Sequence, residues 1–328
     1  MTVTGVEALS EAEVASFRML HGRVVDTVET ALRGKRAVVE LVAVAMFAGG
    51  HVLLEDVPGT GKTTLARSLA AAVGGSSRRV QFTPDLLPSD VTGTSIYDPQ
   101  SGEIRFRAGP VFSNVVLADE INRAAAKTQS ALLEVMEEHT VTVDGVGHTV
   151  PDPFIVIATQ NPIDLDGTYR LPEAQLDRFL LRTTIGYPDG EHEVDVLRPG
   201  SGAGAVSAVA TVTSPEEVAA QTRALYRLHV AEPILRYVRA VGAATRDDHR
   251  LRLGASTRSL RGLVRCVQAY AAAQGRHYVV PNDVQRLVTP VLAHRLMLTR
   301  EAMLAGETRE GVLDDVLARV EVPRPTSA

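Results

Sequence analysis

Five places in this 328-residue chain carry residue types and spacings that could do chemistry. The first is His51 to Thr64, HVLLEDVPGTGKTT. An apolar run, Val52 to Leu54, reads as a buried strand; Pro58, Gly59 and Gly61 then interrupt both strand and helix, and a helical pattern opens at Lys62. Strand, glycine-rich loop and helix is the context a phosphate-binding loop requires. Gly59 and Gly61 let backbone N–H groups turn inward around a β-phosphate at a helix N-terminus, with Pro58, Thr60 and Thr64 completing the loop. Lys62 adds a point charge for the β- and γ-phosphates, and the Thr63 hydroxyl is placed to ligate Mg²⁺.

The second place is Val115-Val116-Leu117-Ala118-Asp119-Glu120, a short apolar strand ending in two adjacent carboxylates. In a parallel sheet that edge is where ligands bind. Asp119 can hold Mg²⁺ and its waters, while Glu120 can orient and polarise the water that attacks a γ-phosphate. The third is Asn161, at the end of the strand-like run Phe154 to Gln160. It either helps to fix that water beside Glu120 or is a plain turn former before Pro162. The fourth, Arg178, stands where a short helix enters a further strand and either pairs with Asp177 or projects off the domain. The fifth, Arg258, lies on the first turn of a helix and is either a nucleotide sensor or a surface charge.

One departure qualifies the loop. The pattern G-x-x-x-x-G-K-[ST] calls for glycine at position 56, and this chain has Asp56, whose carboxylate should repel phosphate unless it points away. Lysine usage argues for a phosphate site. Only Lys35, Lys62 and Lys127 are lysines among 34 basic residues, so a chain that writes Arg almost everywhere has Lys where a compact ammonium is needed.

The elements that position these residues follow in order. Ser10-Glu11-Ala12-Glu13 resembles a capping box, and Phe17, Leu20, Val24, Val28 and Leu32 keep helical spacing behind it. Gly34 breaks this helix. A second, from about 37 to 48, leads into the loop strand; the segment 34–38 between them either lines an adenine pocket or simply connects. A helix from Thr63 and a strand at 78–83 precede residues 84–110, which are dense in Pro and Gly and read as an inserted hairpin turning at Asp98-Pro99-Gln100-Ser101-Gly102. A helix spans Lys127 to about His139, and Asp144-Gly145 marks a two-residue hairpin within 140–150. The spacing predicts domain limits at 1–198 and 215–328, joined by a linker at 199–214 of Gly, Ala, Ser and Val. Helix starts at Ser214-Pro215, Glu232-Pro233, Ser256-Thr257 and Pro281 make the last third a small all-helical domain. The fold class is therefore α/β, a parallel sheet flanked by helices with inserted β-hairpins and a helical C-terminal domain.

Composition narrows the function. A hydrophobic content of 45% supports a full core. The net charge of −5 gives no bulk attraction to nucleic acid, which makes such a partner unexpected. The start has neither a basic region nor an apolar one, and the run 37–50 is too short to cross a bilayer, so a cytoplasmic protein without membrane insertion is expected. Cys266, the one cysteine, sits in an apolar helical pattern and reads as a buried thiol. The nine histidines form no H-x-x-x-H pair, so protein-held zinc has no support.

The order of these features resembles an AAA+ ATPase. Further, GPVFSNVVLADEINRAAAKTQSALLEVMEEHTVTVDG, ATQNPIDLDGTY and LPEAQLDRF are closely similar to the MoxR family, and the likeness runs from about Gly34 to Arg300. Departures are few: Asp56, Ala125-Ala126 for a usual Pro-Pro, and Thr257 for a usual Pro. The resemblance implies ATP and Mg²⁺ as cofactors, with Lys62 and Thr63 as Walker A and Asp119 and Glu120 as Walker B. It makes Asn161 sensor 1, Arg178 an arginine finger acting on the neighbouring subunit, and Arg258 sensor 2. It also implies a homo-oligomeric ring, most often a hexamer, and chaperone-like remodelling of a protein partner bearing a von Willebrand factor A domain. A motor or switch on nucleic acid, or a chelatase-type subunit, is the alternative.

Overall fold

The computed structural model describes residues 8–100, 102–161, 171–188, 190–197 and 206–323. Most of the strand-end chemistry is set by one sheet. Strands β1 (Val52–Glu55), β2 (Ser77–Gln81), β5 (Val115–Asp119), β8 (Ile155–Gln160) and β9 (Leu181–Thr183) lie in the order β2-β5-β8-β1-β9. The β2–β5, β5–β8 and β8–β1 pairings are parallel. Every residue of β5 is buried, as its unbroken apolar run requires of a strand covered on both faces. In register, Gln81 pairs with Asp119, Ala118 with Ala158 and Glu55 with Gln160, so the carboxyl ends of four strands finish at one edge.

Helices α1 (Glu11–Ala31) and α2 (Arg36–Phe47) precede β1, and α3 (Lys62–Ala72) follows it. The Ser10–Glu13 capping box forms: the Glu13 carboxylate accepts from Ser10 N at 2.9 Å while the Glu13 N–H donates to Ser10 Oγ at 3.3 Å. The short α4 (Pro88–Thr92) leads into the expected hairpin, β3 (Gly93–Asp98) with β4 (Glu103–Ala108). Helix α5 (Ala126–Glu138) leads into the second, β6 (Thr140–Val143) with β7 (Val146–Thr149). Here Asp144 and Gly145 both take positive φ, 51° and 78°, the backbone of a tight hairpin turn. Phe82, Ile121, Leu132, Val156 and Phe179 are among the buried residues packed between this sheet and its helices. Helices α6 (Glu173–Leu176) and α7 (Gly190–Leu197) flank β9 in sequence.

The C-terminal part holds α8 (Pro215–Leu225), α9 (Glu232–Arg246), α10 (Thr257–Ala273), α11 (Pro281–Leu292), α12 (Arg300–Leu304) and α13 (Arg309–Arg319). Their starts follow the capping signals: Ser256 Oγ accepts from Ser259 N, Thr308 Oγ1 from Gly311 N, and Pro281 opens α11. Helical spacing gave no sign of the small antiparallel ribbon here, β10 (Leu251–Leu253) with β11 (Met297–Leu298). Cys266 is fully buried in α10, and burial pushes its thiol up to about 12. By contact the chain separates into two compact units. One contains the described residues of 1–22, 180–182 and 220–328; the other contains those of 23–179 and 183–219. Residues 199–205 of the expected linker, and Pro162 to Tyr169 of the ATQN string, lie outside the described residues. No helix among the described residues is long and apolar enough to cross a membrane.

Candidate functional site

At the shared strand edge a cavity of about 260 Å³ is lined by Asp56, Pro58, Gly59, Gly61, Lys62, Thr63, Thr64, Arg79, Gln81, Asp119, Glu120, Thr159 and Asn161. Gly59 and Gly61 adopt φ of 87° and 96°, which a side chain would resist. Gly61 is the N-cap of α3 and offers no side-chain cap, so the first N–H groups of that helix keep their donors for an anion. Thr60, buried, closes the loop with its hydroxyl on Val57 O at 3.4 Å. The Lys62 ammonium folds back onto its own loop, donating to Val57 O at 2.8 Å and Asp56 O at 3.2 Å. Neutral carbonyls are weaker partners for an ammonium than a phosphate oxygen, so this cation exchanges readily onto an incoming anion.

Asp56 causes no repulsion, because its carboxylate is committed elsewhere. It is buried, and its two oxygens accept the consecutive N–H groups of Ile185 (Oδ2, 2.5 Å) and Gly186 (Oδ1, 2.9 Å). Its own N–H donates to Gln160 O at 3.1 Å. Only its carbonyl engages Lys62. Asp in place of Gly therefore fastens the phosphate loop to the segment that follows β9.

Asp119 and Glu120 are set by Thr159, a residue the sequence reading passed over. The buried Thr159 hydroxyl donates to Asp119 Oδ1 at 2.7 Å and accepts from Glu120 N at 2.8 Å. Glu120 is left-handed, φ 56° and ψ 49°, which turns its side chain out of the strand direction. Its Oε2 accepts from Gln81 Nε2 at 2.8 Å and Arg123 Nη1 at 3.0 Å. Asp119 Oδ2 accepts from Arg79, through Nε at 3.0 Å and Nη2 at 2.6 Å. Arg79 and Gln81 were also passed over. The signal for them was strand period: two residues apart on β2, they share a face next to a strand ending in two carboxylates.

Asn161 lines the cavity where β8 ends. Arg178 does not line it. Its Nε pairs with Glu137 at 3.1 Å, and it lines a separate cavity with Ser130, Glu134, Glu138, Thr140 and Gln175. Arg258 is the second residue of α10, in the other compact unit.

The residues present suit a nucleoside triphosphate and a hard divalent cation. An uncapped helix N-terminus, a lysine resting on carbonyls and positive-φ glycines form an anion cradle, while the Thr63 hydroxyl and the Asp119 carboxylate supply oxygen donors of the kind Mg²⁺ takes.

Comparison with known proteins agrees with this chemistry. Residues 51–181 match the ATPase family associated with various cellular activities (AAA), and residues 243–316 match the AAA lid domain. A solved structure of a candidate ATPase from Cytophaga hutchinsonii superposes with a TM-score of 0.89 at 36% identity, over 96% of this chain and 98% of that one. An uncharacterized protein of Bacillus subtilis, YeaC, is 45% identical over 94% of this chain and 97% of its own length. Chaperone MoxR1 of Mycobacterium tuberculosis is 40% identical over 98% of this chain and 85% of its own. With relatives this similar along nearly the whole length, and with the loop, the paired carboxylates and the lid in this order, the chain belongs to the MoxR family of AAA+ ATPases.

Proposed function

We propose that the protein hydrolyses ATP with Mg²⁺ and uses the cycle to remodel a protein partner, one carrying a von Willebrand factor A domain. The observation that carries the reading is the convergence of the uncapped α3 N-terminus, Lys62 and the Asp119–Glu120 pair on one cavity. In this reading the α3 N–H groups and Lys62 hold the β- and γ-phosphates, and Thr63 and Asp119 hold Mg²⁺. The metal would neutralise charge developing on the phosphate oxygens. Glu120, turned outward by its left-handed backbone, orients the attacking water together with Asn161. Transfer passes through a loose, charge-spread state, so positioning and positive charge do most of the work.

Arg178 is assigned to the neighbouring subunit's site, which calls for a ring, most simply a hexamer. Its placement in a cavity separate from that of Lys62 supports action in trans. Arg258 is assigned as the lid's sensor of bound nucleotide, and the working compartment as the cytoplasm.

The two hairpins are assigned to the partner. Phe106 of β4 stacks on His148 of β7 at 3.9 Å, so the hairpins are joined by an aromatic contact. Beyond it Tyr97 and Ile104, a cross-strand pair, are 61% and 73% exposed, and Val146 is also exposed. Apolar side chains presented on hairpins that contribute nothing to phosphate chemistry support a protein-binding role. The test is ATP turnover with Mg²⁺ and with EDTA, each alone, with DNA, and with a protein carrying a von Willebrand factor A domain. Turnover that needs Mg²⁺ and rises with the protein but not with DNA is expected. Stimulation by DNA alone would favour a nucleic-acid motor and overturn the partner assignment.

A further inference from the structure

Arg79 places a positive charge where a metal-dependent nucleotide site needs a free carboxylate oxygen. Asp119 has two oxygens, and each is engaged. Oδ1 is held by the Thr159 hydroxyl, and Oδ2 takes both Nε and Nη2 of Arg79. A divalent cation and a guanidinium cannot share Oδ2, since the two charges would repel across one oxygen. The burial of the two partners is unequal: the Asp119 side chain is 11% exposed and that of Arg79 is 47% exposed. The carboxylate is therefore fixed, while the guanidinium lies at the cavity mouth on a long stem, where it can move at little cost. Its other contact is light. Nη2 donates to Gln81 Oε1 at 2.7 Å, on the same exposed face of β2.

Resting on the nucleotide-site reading above, we propose that Arg79 is a positioning residue that acts as an exchangeable stand-in cation. Without nucleotide it occupies Asp119 and keeps divalent metal out of the site. When nucleotide and metal arrive together it leaves Oδ2 to the metal and turns to the phosphates, which line the same cavity once bound to Lys62 and α3. The exchange keeps charge balanced: one cation leaves the carboxylate as another takes it, and the displaced one finds a new anion. The consequence is an obligatory order, in which the site takes metal only with nucleotide.

The experiment measures Mn²⁺ binding by the intact protein without nucleotide, from the loss of free-ion paramagnetic resonance, and binding of a fluorescent ATP analogue with and without Mg²⁺. Wild type, Arg79→Ala, Arg79→Gln and Arg79→Lys are compared. The Gln variant keeps a donor but loses the charge, so it separates competition from packing. Arg79→Ala and Arg79→Gln are expected to bind Mn²⁺ alone about 2- to 5-fold more tightly than wild type, the size of one half-exposed ion pair. They should also bind metal-free nucleotide more weakly, having lost a phosphate partner, and Arg79→Lys should stay near wild type in both. Mn²⁺ affinity without nucleotide that is unchanged or lower in both the Ala and Gln variants, in protein that still binds the analogue with Mg²⁺, overturns the proposal. Wild-type protein that fails to bind the analogue with Mg²⁺ overturns the nucleotide-site reading itself, and this proposal with it.

Discussion

Replacing Thr159 with Val removes one hydroxyl and little volume, and the site should respond out of proportion. That hydroxyl makes two bonds, accepting from Glu120 N at 2.8 Å and donating to Asp119 Oδ1 at 2.7 Å. A neutral bond contributes about 0.5–1.5 kcal/mol and one to a charged group about 1.5–3 kcal/mol. Because Thr159 is buried, water cannot replace either. The left-handed backbone of Glu120 costs a further ~1 kcal/mol that the bond to Thr159 helps to offset. Valine fills the space, so no cavity cost is added, and the loss in folding stability should be about 2–4 kcal/mol. Glu120 would also lose its anchor. A displacement of ~1 Å at a group that orients the attacking water costs about 10²-fold in turnover. Urea unfolding and steady-state ATP hydrolysis read the two effects, and Thr159→Ser, which keeps the hydroxyl, should recover most of both. A Val variant within 0.5 kcal/mol of wild type by the usual surface-change margin, and with full turnover, would refute the role given to this hydroxyl.

Three further outcomes follow from contacts outside the reacting atoms. Asp56→Gly restores the usual loop residue but frees the Ile185 and Gly186 N–H groups, so their hydrogen exchange should quicken about 10- to 100-fold; unchanged exchange would mean that the carboxylate is not their acceptor. In the lid, hydrogen bonds from Arg250, aided by Arg319, hold the buried Asp248 carboxyl well below the usual carboxylate range. A depressed folded value means the stabilisation is present above pH 3.8 and lost as pH falls toward that folded value. The melting temperature should therefore drop on acidification below about pH 4 in wild type and less so in Asp248→Asn, which should already be about 2–4 kcal/mol less stable at neutral pH; parallel acid curves would count against it. His51, buried, meets Met136 O through Nε2 and the Val156 N–H through Nδ1, both at 3.0 Å, partners that assign the proton to Nε2. His51→Leu orphans both groups and should cost about 2–5 kcal/mol in denaturant unfolding, whereas a cost under ~1 kcal/mol would show that water or relaxation satisfies them.

Features written in local chemistry were legible from the sequence. The phosphate loop, the Asp144-Gly145 turn and the Ser10 capping box each depend on residues within a few positions of one another, where turn and cap rules act directly. The carboxylates of β5 were legible because an apolar run that ends in two acids can present them only at a strand edge. What escaped was long range. Arg79 meets Asp119 40 positions away, and Asp56 meets Ile185 129 positions away. Nothing in the type of Asp56 alone tells whether its carboxylate faces phosphate or main-chain N–H groups. The β10–β11 ribbon escaped because its strands are two and three residues long, too short for any alternation to register against helical spacing. The residues around Arg178 point to Asp177 or to a side chain projecting off the domain, and nothing near it in the chain points to Glu137 on α5, which its Nε meets at 3.1 Å.

The most direct test of the site is Glu120→Gln measured for ATP binding and hydrolysis on the same preparation, with Lys62→Ala beside it. Gln keeps the size and the hydrogen bonds of Glu120 but cannot take up a proton. Binding equal to wild type, with turnover reduced about 10²-fold or more, is the predicted result, and Lys62→Ala should lose tight binding altogether. Hydrolysis by Glu120→Gln at the wild-type rate would contradict the assignment of Glu120 and of the cavity it lines.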